Sequence, residues 1–319
     1  MCDRKEIVDV SVIIVSYNRL EALRNTLAGI VRYFNTPTTE ILLVDNASHE
    51  PIVETIRQEF PQVRVIANKH NLGFGGGNNI GAQEARGEFL LFANSDLDLR
   101  GNPLPAMIEI FRKDSLTGIV GCQLLNLDGS LQPSYFRFPN LPMRFLQLSG
   151  LKTLLLKILP WLRFNQYQNN RLDFVSGAFF MIKRSLFFDV CCFDDRYFMY
   201  LEDADLGYQI ARKGKSSRLL PTKDIVHLGA HYEEIDNPFV LYNMNRGQLL
   251  FYKKNYSFWK FVILVFMSIG IYSFSVLFSL VRYNGLKVRK HYGELIRLYF
   301  TALVHDKWFN HADSKTSVD

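Results

Sequence analysis

Cysteine is scarce in this chain. Its 319 residues hold four, Cys2, Cys122, Cys191 and Cys192. That is too few for a disulfide scaffold, and no pair has the C-x-x-C spacing of a structural zinc site. A reducing compartment is the simpler reading. Long runs of one charge are missing as well, as are helix-turn-helix, zinc-finger, RNP and KH signatures. Nucleic acid is therefore the weakest of the partners that a net charge of +6 admits. Anionic lipid and a phosphorylated substrate remain. The opening MCDRKEIVDV is charged and meets an apolar run only at Val10, too short for a signal h-region. The N-x-S triplets at Asn46 and Asn255 then read as chance matches. With 48% hydrophobic and 21% charged residues, the chain is neither disordered nor fibrous. Its length suits one large domain or two modest ones.

What is present begins with alternating periods. Val10–Val15 is an apolar, β-branched run of strand length. Asn18 with Glu21 resembles a capping box, and Leu20, Leu23, Leu27, Ile30, Val31 and Phe34 follow at helical spacing. Strands are predicted at Glu40–Val44, Val63–Ile66 and Glu88–Ala93, with helices from Pro51 to about Phe60 and from the Gly75–Gly77 run to about Arg86. This β-α-β-α-β-α-β order predicts a parallel sheet with helices on its faces. Ligands of such sheets bind beyond the carboxyl ends of the strands. Ser16-Tyr17-Asn18, Asp45-Asn46 and Asn94-Ser95-Asp96 all lie there.

The middle of the chain is less regular. Asp128-Gly129 reads as a turn. Leu141–Leu162 reads as an amphipathic helix, whether ordinary, covering a site or touching a membrane. Phe174–Ile182 is strand-like, and Asp203–Arg212 is a helix with charges matched to its dipole. Phe261–Val281 is 21 residues without a charge, about 31 Å as a helix. Basic residues flank it on both sides, so its orientation is open. An in-plane or re-entrant helix, a true span and a buried core helix all stay in play, followed by an interfacial helix over residues 291–303.

Each polar cluster also has a plain structural reading. The loop Asn71-Leu-Gly-Phe-Gly-Gly-Gly-Asn-Asn-Ile-Gly81 suits an anion at a helix N-terminus or a bare glycine turn, and it is not a dinucleotide fingerprint. Gly214-Lys215-Ser216 mimics the end of a P-loop, but Gln209 occupies the required glycine position. Asp96 is a turn former or a ligand for a hard divalent cation. Glu202, Asp203 and Asp205 form an acidic helix start, or a crowded group in which one member has become a base. His227 and His231 are structural, or a pair four apart on a helix face.

Together the motifs resemble family 2 glycosyltransferases of the GT-A fold, nearest the rhamnosyltransferase-like branch that builds bacterial surface polysaccharides. The resemblance runs over about residues 8–232. It rests on Val12-Ile-Ile-Val-Ser-Tyr-Asn18, Leu43-Val-Asp-Asn-Ala-Ser48, Asn71-Leu-Gly-Phe74 with Asn78-Asn79, Asn94-Ser-Asp96, Val175-Ser-Gly-Ala-Phe179, Phe193-Asp-Asp-Arg-Tyr-Phe198, Glu202-Asp-Ala-Asp-Leu206 and His227. It implies an α/β fold, a Rossmann-like sheet with helices on both faces. This GT-A domain would occupy residues 1–235, and a helical membrane-association region residues 236–319.

The resemblance also implies roles. Asp45 reads the nucleotide base, with Ser16, Tyr17 and Asn18 lining the pocket. Asn71, Gly73, Asn79 and Asn94 belong to the same nucleotide-sugar site, and Arg246 is a candidate diphosphate contact. Asp96 in the DXD position and His227 hold Mg2+ or Mn2+. Asp203 is the catalytic base and Glu202 lies beside the acceptor. The implied reaction is inverting sugar transfer from a nucleoside-diphosphate sugar to a polyprenyl-diphosphate-linked saccharide. The place is the cytoplasmic face of a bacterial inner membrane, with the enzyme peripheral or monotopic and touching membrane lipids. The donor suggested first is dTDP-L-rhamnose, and a UDP-sugar for galactofuranosyl or other hexosyl transfer is the alternative. Homo-oligomer formation stays open. A non-catalytic sugar-nucleotide-binding protein would not need the acidic pair, and a nucleotidyltransferase would want a basic glycine-rich signature near its start. Two positions depart from the branch. Asn-Ser-Asp stands for its usual Asn-Pro-Asp, and Cys191-Cys192 for its usual Gly-Gly.

Overall fold

A computed structural model describes residues 8–34, 36, 38–149, 151, 172–229, 237–279 and 285–305. It divides into two compact units. The first comprises Met1–Arg137, Leu172–Asp195 and Glu202–Tyr232, and the second Phe138–Arg171, Arg196–Leu201 and Glu233–Asp319.

In the first unit the chain runs β1 Val10–Ser16, α1 Leu20–Phe34, β2 Thr39–Asp45, α2 Ile52–Glu59, β3 Val63–Ala67, α3 Gly73–Glu84, β4 Phe89–Asn94 and β5 Leu97–Leu99. Then come α4 Leu104–Lys113, β6 Thr117–Leu125, β7 Leu131–Gln132 and β8 Tyr135–Phe136. After the helix α5, Leu141–Leu148 in the second unit, the first resumes with β9 Phe174–Val175, β10 Phe179–Lys183, α6 Arg184–Asp189, α7 Glu202–Arg212 and β11 Ser216–His227.

Nine strands form one sheet in the order β3-β2-β1-β4-β10-β6-β11-β5, with β7 beside β6. The parallel sheet expected from the first hundred residues is present as β3, β2, β1 and β4, and β11 also pairs parallel with β6. Strand β10 enters antiparallel between β4 and β6, so the sheet is mixed. The apolar run at 174–182 is not one strand either, because Ser176-Gly177-Ala178 interrupts it.

The continuous apolar strands have a direct cause. Val12, Ile14, Leu91 and Ala93 pack with α1, α2 and α4, while their neighbours Ile13, Leu90 and Phe92 pack with α3, α6 and α7. Alternate side chains point to opposite faces, and both faces are covered. Helix α3 approaches β1 so closely that a Cβ on Gly81 would lie 2.5 Å from Ile13 Cγ2, and one on Gly77 2.8 Å from Val15 Cγ1. Gly77 and Gly81 serve this packing, while Gly75 faces Phe193. Helix α1 does not use the expected capping box. Its first amides, Arg19 N and Leu20 N, donate to the Glu50 carboxylate at 2.9 and 2.8 Å. The expected turn at Asp128-Gly129 is present, with Gly129 at φ +81°. His227 ends a strand, so it does not share a helix face with His231, which lies outside the described residues.

The second unit is helical, with α5, then α8 Pro238–Asn255, α9 Phe258–Ser279 and α10 Gly285–Val304. Asn140 and Asn237 cap α5 and α8, accepting from Met143 N and Phe239 N. The rest of the expected helix Leu141–Leu162 lies outside the described residues, apart from Ser149 and Leu151. A buried polar knot ties the four helices. Arg144 Nη2 donates to Asn245 Oδ1, and to the Tyr299 and Tyr272 hydroxyls at 3.2 and 3.4 Å. Those hydroxyls in turn donate to Asn245 Oδ1 at 2.9 and 2.7 Å.

Helix α9 buries Phe261, Leu264, Val265, Ser268 and Tyr272 on one side, and exposes Trp259, Ile263, Phe266, Phe274 and Leu277 on another. This is not a core helix within its unit. Among the described residues Phe258–Phe278 is the one helix long and apolar enough to cross a membrane, with a mean hydropathy of 2.4.

Replacing Asn245 with Ala removes the acceptor shared by three buried donors. The expected loss is about 2 kcal/mol, read as a lowered thermal unfolding midpoint, with Asn245→Asp losing less because it keeps an acceptor.

Candidate active site

Strand register assembles the first wall. Ser16 pairs with Asp45, and Val15 with Asn94, so the carboxyl ends of β2, β1 and β4 lie level. Beyond β1 the backbone turns through positive φ at Asn18 and Arg19, 57° and 59°. Asn18 N donates to Ser48 Oγ at 2.8 Å and Asn18 Oδ1 accepts from His49 N at 2.9 Å. Ser16 Oγ donates to Asn18 O at 3.2 Å, and Tyr17 meets the His49 ring edge-on. Buried Asp45 accepts from Ser48 N through Oδ1 at 3.3 Å. Ser16, Tyr17, Asn18 and Asp45 are thus brought together at one rim.

The glycine loop is held by Asn46, a motif residue to which the sequence assigned no role of its own. Asn46 donates to Asn71 Oδ1 and Gly73 O at 3.1 and 2.8 Å, and accepts from Asn68 Nδ2 at 2.8 Å. Asn71 Oδ1 also accepts from Gly73 N at 2.9 Å, and Gly73 has φ 74°. Asn79 spends its amide on the backbone of Phe193, donating to its O at 2.9 Å and accepting from its N at 3.0 Å. Within this geometry Asn71, Gly73 and Asn79 shape loops. The loop pinned at Phe193 carries Cys191 and Cys192, both at φ 65°. Glycine is favoured at such angles, which is the conformation a Gly-Gly pair would adopt freely.

Asp96 lies just past β4. Its backbone O accepts from Leu228 N at 2.9 Å, and the next residue, Leu97, bonds through its N and O to Thr26 Oγ1 at 2.8 and 2.9 Å. Asp96 Oδ1 is buried without a hydrogen-bond partner and faces His227 Nε2 at 3.3 Å. Asn94 Nδ2 approaches the same nitrogen at 3.1 Å, and Arg19 Nη1 lies 3.9 Å from Asp96 Oδ2. Burial by itself would raise the Asp96 pKa, but His227 in its protonated form, donating and charged, together with Arg19 outweighs it and holds the carboxyl below its usual range. A Cβ on Gly229 would fall on Asp96 Oδ2, so a larger residue there would displace this carboxylate.

The residues fit a divalent cation. Octahedral ligand bonds of about 2.1 Å put neighbouring donors about 3 Å apart, close to the observed separation. The carboxylate oxygen suits Mn2+ or Mg2+, and the imidazole nitrogen beside it favours Mn2+ over the harder Mg2+. Among the described residues no cluster of three or more His, Cys, Asp or Glu side chains accompanies the pair. Water, substrate phosphate or neutral oxygens would complete the shell.

Glu202 and Asp203 open α7. Asp203 Oδ2 accepts from Gly177 N at 3.0 Å and Oδ1 from Ala204 N at 2.8 Å. Gly177 belongs to the break between β9 and β10, so the sheet interruption has a use. Glu202 Oε2 is buried without a partner. Burial, then the charge of Asp203, push the Glu202 carboxyl up to about 8. Burial also raises Asp203, against the backbone N–H groups that favour its ionised form. Two backbone N–H groups on Asp203, against an unbonded Oε2 on Glu202, favour the charge on Asp203 and the proton on Glu202. Arg246 belongs to the second unit. It is buried on α8, where Nη1 donates to Arg196 O at 2.5 Å. A Cβ on the next residue, Gly247, would lie 2.7 Å from Tyr200 O. Arg246 thus holds the segment Arg196–Leu201.

Residues 11–190, more than half of the chain, match the family model of glycosyl transferase family 2. Glu202, Asp203, His227 and Arg246 lie beyond that match. Over 269 residues the chain is 28% identical to the N-acetylglucosaminyl-diphospho-decaprenol L-rhamnosyltransferase of Mycobacterium tuberculosis, covering 78% of this chain and 85% of that protein. It is 23% identical over 228 residues to a low-salt glycan biosynthesis hexosyltransferase of Haloferax volcanii, covering 69% of this chain and 67% of that protein. An O-antigen biosynthesis protein of Myxococcus xanthus is 25% identical over 213 residues, which are 64% of this chain and 16% of that protein.

Two outcomes follow from this geometry. Cys191→Gly relieves a left-handed backbone at an exposed position and raises stability by about 0.5–1 kcal/mol in denaturant unfolding. The folded protein binds the Glu202 proton more tightly than the unfolded chain. That stabilisation is full below the ordinary carboxylate range and lost as pH rises through about 8. Between about pH 5 and about pH 9 the thermal midpoint of the wild type should therefore fall further than that of Glu202→Gln.

Proposed function

Since this chain belongs to glycosyl transferase family 2 and is a glycosyltransferase, we propose that it transfers a sugar with inversion, aided by a divalent cation at Asp96 and His227. The observation that carries this reading is the buried, unbonded Asp96 oxygen facing His227 Nε2 at the strand ends. The donor is a nucleoside-diphosphate sugar, dTDP-L-rhamnose first, and the acceptor a polyprenyl-diphosphate-linked saccharide. The mycobacterial relative's name supports both the sugar and the lipid-linked acceptor. Asp96 and His227 would hold the cation, Mn2+ or Mg2+, which when bound would supply charge neutralisation for the leaving diphosphate.

The chain's own residues do the rest. Asp45 and the Ser16–Asn18 rim hold the nucleoside. Asn46, Asn71 and Gly73 fix the loop beside it, and Asn79 fixes the Phe193 loop. Asn94 steadies His227, and Arg246 steadies Arg196–Leu201. Asp203 takes the proton of the acceptor hydroxyl as its oxygen attacks the anomeric carbon. The bond from that carbon to the diphosphate breaks, and the electron pair leaves with the diphosphate. Gly177 N and Ala204 N keep the Asp203 carboxylate aimed, while burial makes it a stronger base than an exposed carboxylate. Glu202, neutral beside it, is free to donate a hydrogen bond to the acceptor.

We assign membrane association, at the cytoplasmic face of a bacterial inner membrane, to residues 236–319 and the segments grouped with them, and the chemistry to the domain expected at residues 1–235. The exposed Trp259, Ile263, Phe266, Phe274 and Leu277 of α9 suit lipid, and Lys253, Lys254 and Lys260 suit anionic headgroups.

A donor screen on detergent-purified protein tests the reading. Release of nucleoside diphosphate is followed from dTDP-, UDP- and GDP-sugars, with Mn2+ or Mg2+ and a lipid extract. The expected result is cation-dependent release from one donor, dTDP-L-rhamnose, at lower Mn2+ than Mg2+ concentration. Asp203→Asn should keep nucleotide binding and lose about a thousandfold in turnover. Release from a UDP-sugar would favour galactofuranosyl or other hexosyl transfer. Turnover unchanged by Asp203→Asn would contradict the assigned base.

A further inference from the structure

A short polar relay runs from an exposed turn to the imidazole of His227, through a residue that no motif marks. Gln132 is buried on β7, paired with Leu124 of β6. Its side chain makes three bonds. Nε2 donates to Asn126 Oδ1 at 3.0 Å and to His227 O at 3.1 Å, and Oε1 meets His227 Nδ1 at 2.9 Å. Both amide hydrogens are spent on oxygens that cannot donate. Turning the amide over would set its oxygen against those two oxygens, so Oε1 is the acceptor, and Nδ1 carries a hydrogen.

The relay can be followed outward. Ser130 Oγ donates to Asp128 Oδ1 at 2.6 Å, so it is left to accept from Asn126 Nδ2 at 2.9 Å. Asn126 therefore presents Oδ1 to Gln132. The carboxylate of Asp128, on the turn, orients Ser130, Asn126, Gln132 and His227 in sequence.

We propose that Gln132 is a positioning residue for His227, holding the ring as the Nδ1–H tautomer so that the Nε2 lone pair faces the space shared with Asp96. The inference rests on the reading of Asp96 and His227 as the cation site. In that tautomer Nε2 can accept from Asn94 Nδ2 at 3.1 Å, yet it still lies 3.3 Å from Asp96 Oδ1, a second acceptor with no donor of its own. Such a confrontation is relieved by something positive between them. Metal-bound histidines are commonly oriented through the opposite ring nitrogen in this way. Gln132 lends that service without adding a charge.

The test reads the tautomer and cation binding separately from activity. In cation-free protein with 15N-labelled histidine, the His227 ring is assigned by its loss in His227→Ala and observed at a pH where it is neutral. The wild type should show hydrogen on Nδ1. Gln132→Met keeps the volume and removes the acceptor; it should lose that tautomer, and Mn2+ affinity measured by electron paramagnetic resonance should fall about tenfold to a hundredfold. A wild-type ring with hydrogen on Nε2 overturns the proposal whether or not the variant folds. So does a Gln132→Met protein that is less stable yet keeps the tautomer and the Mn2+ affinity, which would make Gln132 purely structural. Wild-type protein that shows the tautomer but binds no Mn2+ overturns the underlying cation site, a separate failure.

Discussion

Strand β1 is buried on both faces, and its parallel pairing with β2 and β4 governs the rest of the molecule. A one-residue slip in either pairing would turn every apolar side chain of a strand to the other face. Because that is forbidden, Ser16, Asp45 and Asn94 must end their strands at one level. The chain can leave the sheet only there, and its polar residues collect where buried backbone gives way to solvent. The glycines of α3 belong to the same constraint, since Gly77 and Gly81 let a helix lie directly on Val15 and Ile13.

The second half of the sheet supplies the partners of that rim. Antiparallel β10 starts at the level where β4 ends, which brings Gly177 to Asp203. Strand β11 runs parallel to β6 and ends at His227, opposite Asp96. Two pairs of groups result, and each is costly to bury alone. Asp96 lacks a hydrogen bond at one oxygen, and Glu202 with Asp203 holds one charge between two carboxyls. Buried groups left in such states are a common mark of sites that await a ligand.

Much of the first half was legible in sequence. Val10–Val15 and Glu88–Ala93 read as strands because both of their faces are apolar, and the helix after Asn18 because its leucines recur with period 3.6. Asp45, Asp96, Asp203 and His227 were singled out as a set through resemblance, and the fold sets His227 beside Asp96. Other features were not, for physical reasons. The antiparallel entry of β10 depends on pairing between segments distant in sequence, which no local period encodes. Gln132 and Asn46 act through side-chain amides whose value lies in what faces them. Gly229 matters only because Asp96 lies beside it. The bond from Gly73 N to Asn71 Oδ1 and the pairing of the Asn79 amide with the Phe193 backbone appear only once the loops are folded. Cys191 and Cys192 stood out as a departure, and their shared φ of 65° gives the reason a glycine pair would suit that turn.

The account turns on whether Asp96 and His227 hold a cation that the nucleotide needs. The most direct measurement is calorimetric titration of a nucleoside diphosphate into wild-type and Asp96→Asn protein, each with and without Mn2+. The account predicts that Mn2+ tightens binding to the wild type by at least about tenfold and leaves Asp96→Asn unchanged. Equal affinity in all four titrations would contradict it.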